Sequence, residues 1–430
     1  MNELKMEDLP IESDNIGTSI IKVIGVGGGG SNAVNHMYRK GIKDVTFAVC
    51  NTNNQDLRIS PVPYKLQLGP KTTKSLGAGA FPEVGQAAAE ESYEDIKKML
   101  DDDTQMVFIT AGMGGGTGTG ASPVVARAAK EKNILTIAIV TTPFKWEKQS
   151  KFFTALEGVL TLIDYVDAIL LINNEQLRSL PPDTKIKEAF AYADDVLSNA
   201  AKSIAEIITV PGYIGLDFAD VKRVLENGRV AVMNTGEAEG ETRIEDAINQ
   251  ALDSALINCD ITTSQKILLN FYCAERENQI SVGEFEQIDR FVEKMRETTD
   301  VIWGVTFDDD LGEKVKVTLI ATGFDVETIP GMTQFQTWKK LQKEREQPQP
   351  PETPQPIVDT EPQPPQQPQV QPQPQPDFEQ TRKKLIEEAI IAMYGNSKQP
   401  HLSGIITIDD YNDEIKLKNI ENIPAFERGW

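Results

Sequence analysis

The sequence predicts an α/β protein: a doubly wound parallel-sheet domain, a long central helix, a smaller α+β second domain, and a disordered C-terminal linker with a tail peptide. Three observations predict it. Near-continuous β-branched runs alternate with helical patterns through residues 19–183. One helical pattern then runs unbroken from Thr184 to Thr209. Helical patterns followed by strand-like runs fill residues 213–330, after which the composition turns to Pro and Gln.

Residues 1–18 read as a flexible arm; "MNELKMEDLPIESDN" is acidic and has no apolar stretch, so it is not a secretory signal. The strand runs of 19–183 are "IIKVIGV", "VTFAVCNT", "QMVFIT", "ILTIAIVTT" and "DAILLINN". Apolar runs of this kind, separated by helices, indicate a parallel sheet covered on both faces. Its ligands lie beyond the carboxyl ends of the strands. The helix at 184–212 sets Ile186, Phe190, Val196, Leu197, Ala200, Ile204, Ile207 and Ile208 along one stripe and stops at Pro211-Gly212. Its length suits a spine between two domains. In 213–330, helical patterns at 218–227 and 241–257 accompany "KILLNFYC", "DVIWGVTF" and "KVKVTLIATGF", an α+β arrangement. Residues 331–377 read as a transition and a Pro/Gln-rich linker, because Pro removes backbone donors and Gln builds no core. Residues 378–417 are expected to be weakly structured, with helical propensity from Phe378 to Gly395. Residues 418–430 mix apolar and charged groups at the end of a tether, as short partner-binding peptides do.

The 430 residues carry 43 basic and 65 acidic side chains, a net charge of −22. That balance disfavours nucleic acid and anionic membranes as partners. The three cysteines, Cys50, Cys259 and Cys273, have no metal-ligand spacing, and there are only two histidines, so no metal site held by His or Cys is expected. Sparse, odd cysteines fit a reducing compartment. No run of about 18 apolar residues occurs. A cytoplasmic chain without direct membrane insertion is expected.

Two strand–glycine–helix junctions carry the chemistry. In "KVIGVGGGGSNAVNHM" the glycines let backbone approach a ligand, and the following helix start offers free N–H groups to phosphate oxygens. Gly25, Gly27 and Gly30 also satisfy the spacing of a dinucleotide fingerprint. That fingerprint wants an acidic residue closing the second strand, where this chain has "VCNTNN". A dinucleotide-dependent oxidoreductase is therefore disfavoured. The second junction, "AGMGGGTGTGASP", follows "QMVFIT" and leads into a helix with Pro123 near its first turn. No lysine stands in either loop, so phosphate charge must meet backbone N–H groups, helix dipoles and a metal ion.

"GGGTGTG", with "IKVIGVGGGGSNAVNHM", "LGAGAFPEVG", "VTTPF" and "DFADV", resembles the tubulin/FtsZ family of GTPases and its bacterial cell-division branch. The resemblance runs from about Ile20 to Phe324 and returns in "IPAF" near the end. It implies that Gly28, Gly29, Gly30, Ser31 and Asn32 form the first phosphate-contacting loop, with Asn32 reaching the guanine. Gly115, Gly116, Thr117 and Gly118 would lie on the phosphates and Ala80 near the γ-phosphate. Glu147 would contact the ribose, with Lys151 beside it. Phe190 would stack on the guanine, and Asn174 and Asp195 would hydrogen-bond its edge. It further implies GTP or GDP as ligand with Mg2+, head-to-tail self-assembly, and a place at the midcell division ring. The tail peptide Ile423–Phe426 would bind division proteins and a membrane tether.

"GLDFADVKRVL" carries two readings. Asp217 and Asp220 are spaced as an N-cap and a first-turn acid. The resemblance makes the same pair catalytic, acting on the nucleotide of the next subunit, so that hydrolysis needs a contact that builds a filament. Four positions depart from the family's pattern: Asn53 for aspartate, Phe81 for asparagine, Lys151 for arginine and Gly215 for asparagine. They imply slower turnover; a divergent paralogue that binds GTP, co-assembles and hydrolyses poorly is the alternative.

Overall fold

The computed structural model describes residues 19–346, apart from 180, 182, 254–259 and 277, together with residues 378–394. The arm at 1–18, the Pro/Gln run 347–377 and the peptide Ile423–Phe426 lie outside the described residues.

The strands are β1 (Ile21–Val26), β2 (Thr46–Asn51), β3 (Tyr64–Gln67), β4 (Met106–Gly112), β5 (Leu135–Thr142), β6 (Ala168–Asn173), β7 (Arg229–Ala238), β8 (Lys266–Cys273), β9 (Asp300–Phe307) and β10 (Val315–Phe324). The first helices are α1 (Gly27–Lys40), α2 (Asn54–Ile59), α3 (Pro70–Thr73), α4 (Pro82–Glu91), α5 (Tyr93–Met99), α6 (Thr117–Glu131) and α7 (Gln149–Ile163). They are followed by α8 (Ile186–Thr209), α9 (Phe218–Leu225), α10 (Arg243–Asp253), α11 (Phe285–Val292), α12 (Met332–Glu346) and α13 (Phe378–Tyr394).

One sheet runs through the protein in the order β3-β2-β1-β4-β5-β6-β7-β10-β8-β9. From β3 to β7 every neighbour is parallel. Odd residues of β1 (Ile21, Val23) join the core beneath α1, α8 and α9, while Ile24 and Val26 join the core beneath α4, α6 and α7. Burial on both faces is why these strands read as continuous apolar runs. The second unit extends the same sheet instead of forming its own. Its β7 pairs with β6 over only Ala168–Leu170, then antiparallel along β10.

Sequence patterning passes over two strands. In β3, an edge strand, Tyr64 and Lys65 are exposed. In β7 the apolar run dissolves after Met233 into polar residues that pair without being wholly buried. Within the stretch read as transition and linker, α12 is a helix through Glu346, because Phe335 and Trp338 stack on Phe153 of α7 at 5.4 and 5.2 Å. The helical propensity from Phe378 becomes α13, which buries Ile386, Ala389 and Met393. Pro123 lies seven residues into α6, not near its first turn, because the helix begins at Thr117. The first two turns of α8 overhang the body: Ile186 and Phe190 are exposed, and the buried stripe begins near Ala193 and Leu197.

Candidate functional site

The strand order reverses direction between β1 and β4, the place where doubly wound sheets bind ligands. Both glycine junctions stand there side by side, because Val26 pairs with Ala111. β1 passes directly into α1, and β4 reaches α6 through Met113–Gly116. Neither helix has a side-chain cap or an acidic residue in its first turn. Two helix starts thus leave their N–H groups and positive dipole ends for an anion.

The glycines divide into two sets. Gly27 has φ 72°, and a Cβ there would stand 2.8 Å from the Gly118 nitrogen. A Cβ at Gly30 would stand 2.1 Å from the Thr110 carbonyl oxygen. These glycines let α1 pack on β4 and α6. Gly28 and Gly115 are different: apart from the adjoining residues and the local helix backbone, nothing lies within 4 Å of a Cβ at either. Packing does not require glycine there, and the open space suits a ligand that meets the backbone. Gly29 and Gly118 lie close against Gly112, and Gly116 against Ala78 and Phe81, which seats the "LGAGAF" loop beside the signature loop.

Two buried oxygens at this end have no hydrogen-bond partner among the described residues: Ser31 Oγ and Asn174 Oδ1. Leaving such groups unpaired costs about 1–3 kcal/mol each. A polar ligand in the cradle removes that penalty, so the residues fit a nucleotide. Asn32 is exposed on the next position of α1. Thr52, which follows β2, shares a hydrogen bond of 2.7 Å with Thr117. Asn53 accepts from the Gln55 amide at 3.0 Å and caps α2, a task aspartate and asparagine perform equally. Ala80 is exposed with φ 66°, a left-handed backbone rare for alanine, and Phe81 beside it is 64% exposed.

Beyond β5, Glu147 accepts from the Phe144 amide at 3.0 Å and pairs with Lys151 at 2.8 Å, so these two predicted residues stand together. Phe190 meets Phe144 edge-on at 5.8 Å, and Phe144 stacks on Trp146 at 5.3 Å, forming an aromatic shelf. Asp195 pairs with Lys40 and with His36, one turn past Asn32 on α1; both contacts use Oδ1. Burial raises its pKa, but Lys40 and His36 outweigh that and hold it below the usual range. Burial pushes the neighbouring Asp194 up to about 6; His36 opposes the shift and Asp195 adds to it.

Asp217 and Asp220 are not in this cluster. Asp217 caps α9, its Oδ1 accepting from the amides of Ala219 at 2.7 Å and Asp220 at 3.0 Å. Asp220 Oδ2 accepts from the Asp217 amide at 3.1 Å, which closes a capping box. The aspartate loop is fastened to β9 through Ile214 and Val305. It follows the far end of α8, whose 24 residues span about 36 Å. The chain therefore holds its glycine cradle and its aspartates at opposite ends. At Gly215 a Cβ would meet only the Gly212 oxygen, at 3.7 Å, so a side chain fits. Among the described residues no group of three His, Cys, Asp or Glu could hold a metal ion.

Sequence reasoning gave no individual role to Thr52, Phe144, Trp146, His36 or Asn173. Thr52 had a local signal, since it directly follows the second strand. The others join the site through contacts that no local pattern records.

Residues 20–181 match the GTPase domain of the tubulin/FtsZ family, and residues 229–325 match the FtsZ family C-terminal domain. The cell division protein FtsZ of Porphyromonas gingivalis is 51% identical over 311 residues, covering 72% of this chain and 68% of that protein. The protein of the same name from Coxiella burnetii is 44% identical over 306 residues, covering 70% and 78%. Among solved structures, an empty FtsZ dimer of M. jannaschii matches with a TM-score of 0.63 at 39% identity, covering 70% of this chain and 88% of that one. With its switch-point cradle and both family domains in place, the chain belongs to the tubulin/FtsZ family of GTPases.

Proposed function

We propose that this chain binds GTP across the β1–β4 switch point and hydrolyses it when a second copy, docked head to tail, delivers Asp217 and Asp220. As a member of its family it is a GTP-binding, GTP-hydrolysing cytoskeletal protein of cell division. The observation that carries the shared site is the separation of cradle and aspartates along α8.

In this reading the backbone of Gly28–Ser31 and Gly115–Gly118 receives the phosphates, with Ala80 beside the γ-phosphate. Glu147 and Lys151 take the ribose, and Phe190 stacks on the base. Asn32, Asn174 and the Asp195 carboxylate read the guanine edge; a carboxylate accepting from N1–H and the exocyclic amine rejects adenine. Water attacks the γ-phosphorus in line, GDP leaves, and the incoming aspartates orient the water and accept its proton. Positioning and fixed N–H dipoles supply most of the acceleration. Magnesium fits as a companion of the phosphates, neutralising their charge, since hard cations of this kind keep water and phosphate oxygens as ligands.

Head-to-tail docking is supported by exposed large apolar side chains at both ends. Leu76, Phe81 and Trp146 lie on the cradle side, and Tyr213, Phe285 and Trp303 near the aspartate loop. A heterologous contact of this type does not close, so it gives a filament. We assign the filament to the cytoplasmic face of the division ring, linked to the membrane by a partner holding Ile423–Phe426. Gly215 and Phe81 favour a second reading, a co-assembling subunit with poor turnover. Phosphate release measured against protein concentration tests the shared site: the rate per subunit rises above a threshold, and a flat rate refutes it.

A further inference from the structure

The tail helix α13 follows the linker yet returns to the body. Its inner face of Ile386, Ala389 and Met393 is buried, Ala389 completely. It lies beside α12 over the turn at Gly331, where even an added Cβ would come within 2.8 Å of the Ala389 oxygen. Its last turn carries the polar contacts. The Tyr394 hydroxyl donates to the Pro143 oxygen at 2.7 Å, while its ring packs against Phe152 at 5.5 Å. Asn173 Nδ2 donates to the Met393 oxygen at 3.1 Å, satisfying one of the carbonyls a helix end leaves open. Burial, with the carboxylates of Glu175 and Glu147, pushes the Tyr394 phenol up, so the hydroxyl stays a donor.

Pro143 and Asn173 are not arbitrary anchor points. Pro143 follows β5 and Asn173 ends β6. Asn173 Oδ1 accepts from the Glu175 amide at 3.0 Å and from Thr142 Oγ1 at 3.4 Å. Glu175 in turn accepts from the Lys145 amide at 3.0 Å. The end of α13 is thus bonded to a small network that ties together the segments carrying Glu147 and Asn174.

We propose that α13 is a positioning element of the nucleotide site: Tyr394 and the Met393 carbonyl fix the 143–147 and 173–175 segments in the arrangement that receives the nucleoside. The inference rests on the reading that these segments hold the nucleoside. Docking of the helix orders loops that binding would otherwise have to order, so its release weakens nucleotide affinity. The coupling is reciprocal: nucleotide holds the helix down, and a partner that draws the tail away loosens the nucleotide.

Ala389→Glu in the full chain forces the helix off, because a carboxylate cannot stay in that buried position. Tyr394→Phe removes one hydrogen bond and keeps the ring. Hydrogen exchange and titration with fluorescent mant-GDP are measured on wild type and both variants. With Ala389→Glu, exchange rises in 378–394, 143–147 and 173–175, stays unchanged in β1 and β4, and mant-GDP binds at least about fivefold more weakly. Tyr394→Phe shifts the same quantities less, and saturating GTP restores kcat, so the change falls in KM. Wild-type exchange in 378–394 as fast as in Ala389→Glu overturns the inference. So does unchanged mant-GDP affinity once the helix is released. If wild type itself fails to bind mant-GDP, the site reading falls too; if wild type binds and the variant binds equally, this inference alone falls.

Discussion

A methyl group on Gly28 separates the cradle from the fold. The position is helical, in the first turn of α1, and a Cβ there meets nothing within 4 Å beyond the adjoining residues and its own helix backbone. Alanine is favoured over glycine in a helix by about 0.5–1 kcal/mol, so Gly28→Ala without ligand should melt no lower than wild type, and up to about 2 °C higher. The ligand meets a different surface. A phosphate oxygen bonded to a backbone amide sits about 2.9 Å away, in the space the methyl would share. Loss of one hydrogen bond to a charged group costs about 1.5–3 kcal/mol, a drop in affinity of roughly 10- to 150-fold. Gly30→Ala is the control, since its Cβ would overlap the Thr110 oxygen at 2.1 Å. It should lower stability by about 1–3 kcal/mol or more before any ligand is added. Thermal melts and mant-GDP titration of the two variants decide. Gly28→Ala binding nucleotide as tightly as wild type would refute the cradle; Gly28→Ala melting as low as Gly30→Ala would refute the division of the glycines.

Asp217→Asn keeps an N-cap of equal strength and removes the charge, so the melting temperature stays within a degree or two while GTP turnover falls by at least about 100-fold. Mixed with Gly28→Ala, it should regain turnover above the sum of the two alone; a merely additive mixture counts against a site built from two chains. Gly215→Asn fits without a clash, and it and Phe81→Asn should each raise turnover at equal protein concentration; a lower rate than wild type in both contradicts the assignment. The Asp194 pKa is raised from 3.8 to about 6, so the folded state favours the protonated acid. Its contribution is fully present below about pH 4 and is lost as pH rises through about 6. Asp194→Asn should therefore gain on wild type across that window, by on the order of 1–2 kcal/mol after allowance for partial exposure, in denaturant melts; parallel pH profiles would reject this.

The glycine junctions, α8 and the capped aspartate helix were legible because each is local. A strand running into glycines and then a helix, a stripe on one helix, and two acids three residues apart are patterns within one segment. What stayed illegible depends on pairing across the fold. Tyr64–Gln67 is a strand because β2 lies beside it, not because its residues alternate. The second half of β7 is polar and is held by β10. Phe335 and Trp338 order α12 only because Phe153 faces them from α7. At the site, the capping reading of Asp217 and Asp220 was legible from their spacing: the cap is present in the chain, and one oxygen of each carboxylate makes it. The engagement of Asp195 by Lys40 and His36 was beyond reach, since α1 and α8 are far apart in sequence.

In the proposed head-to-tail site, the distance between cradle and aspartates also makes every filament polar and incomplete. A string of n subunits holds n cradles but only n − 1 of them face a neighbour's aspartates. One terminal subunit keeps its triphosphate while the opposite terminus presents bare carboxylates, so the two tips exchange subunits under different chemical conditions. Turnover per subunit then scales as 1 − 1/n, and a steady-state rate becomes a ruler for mean filament length.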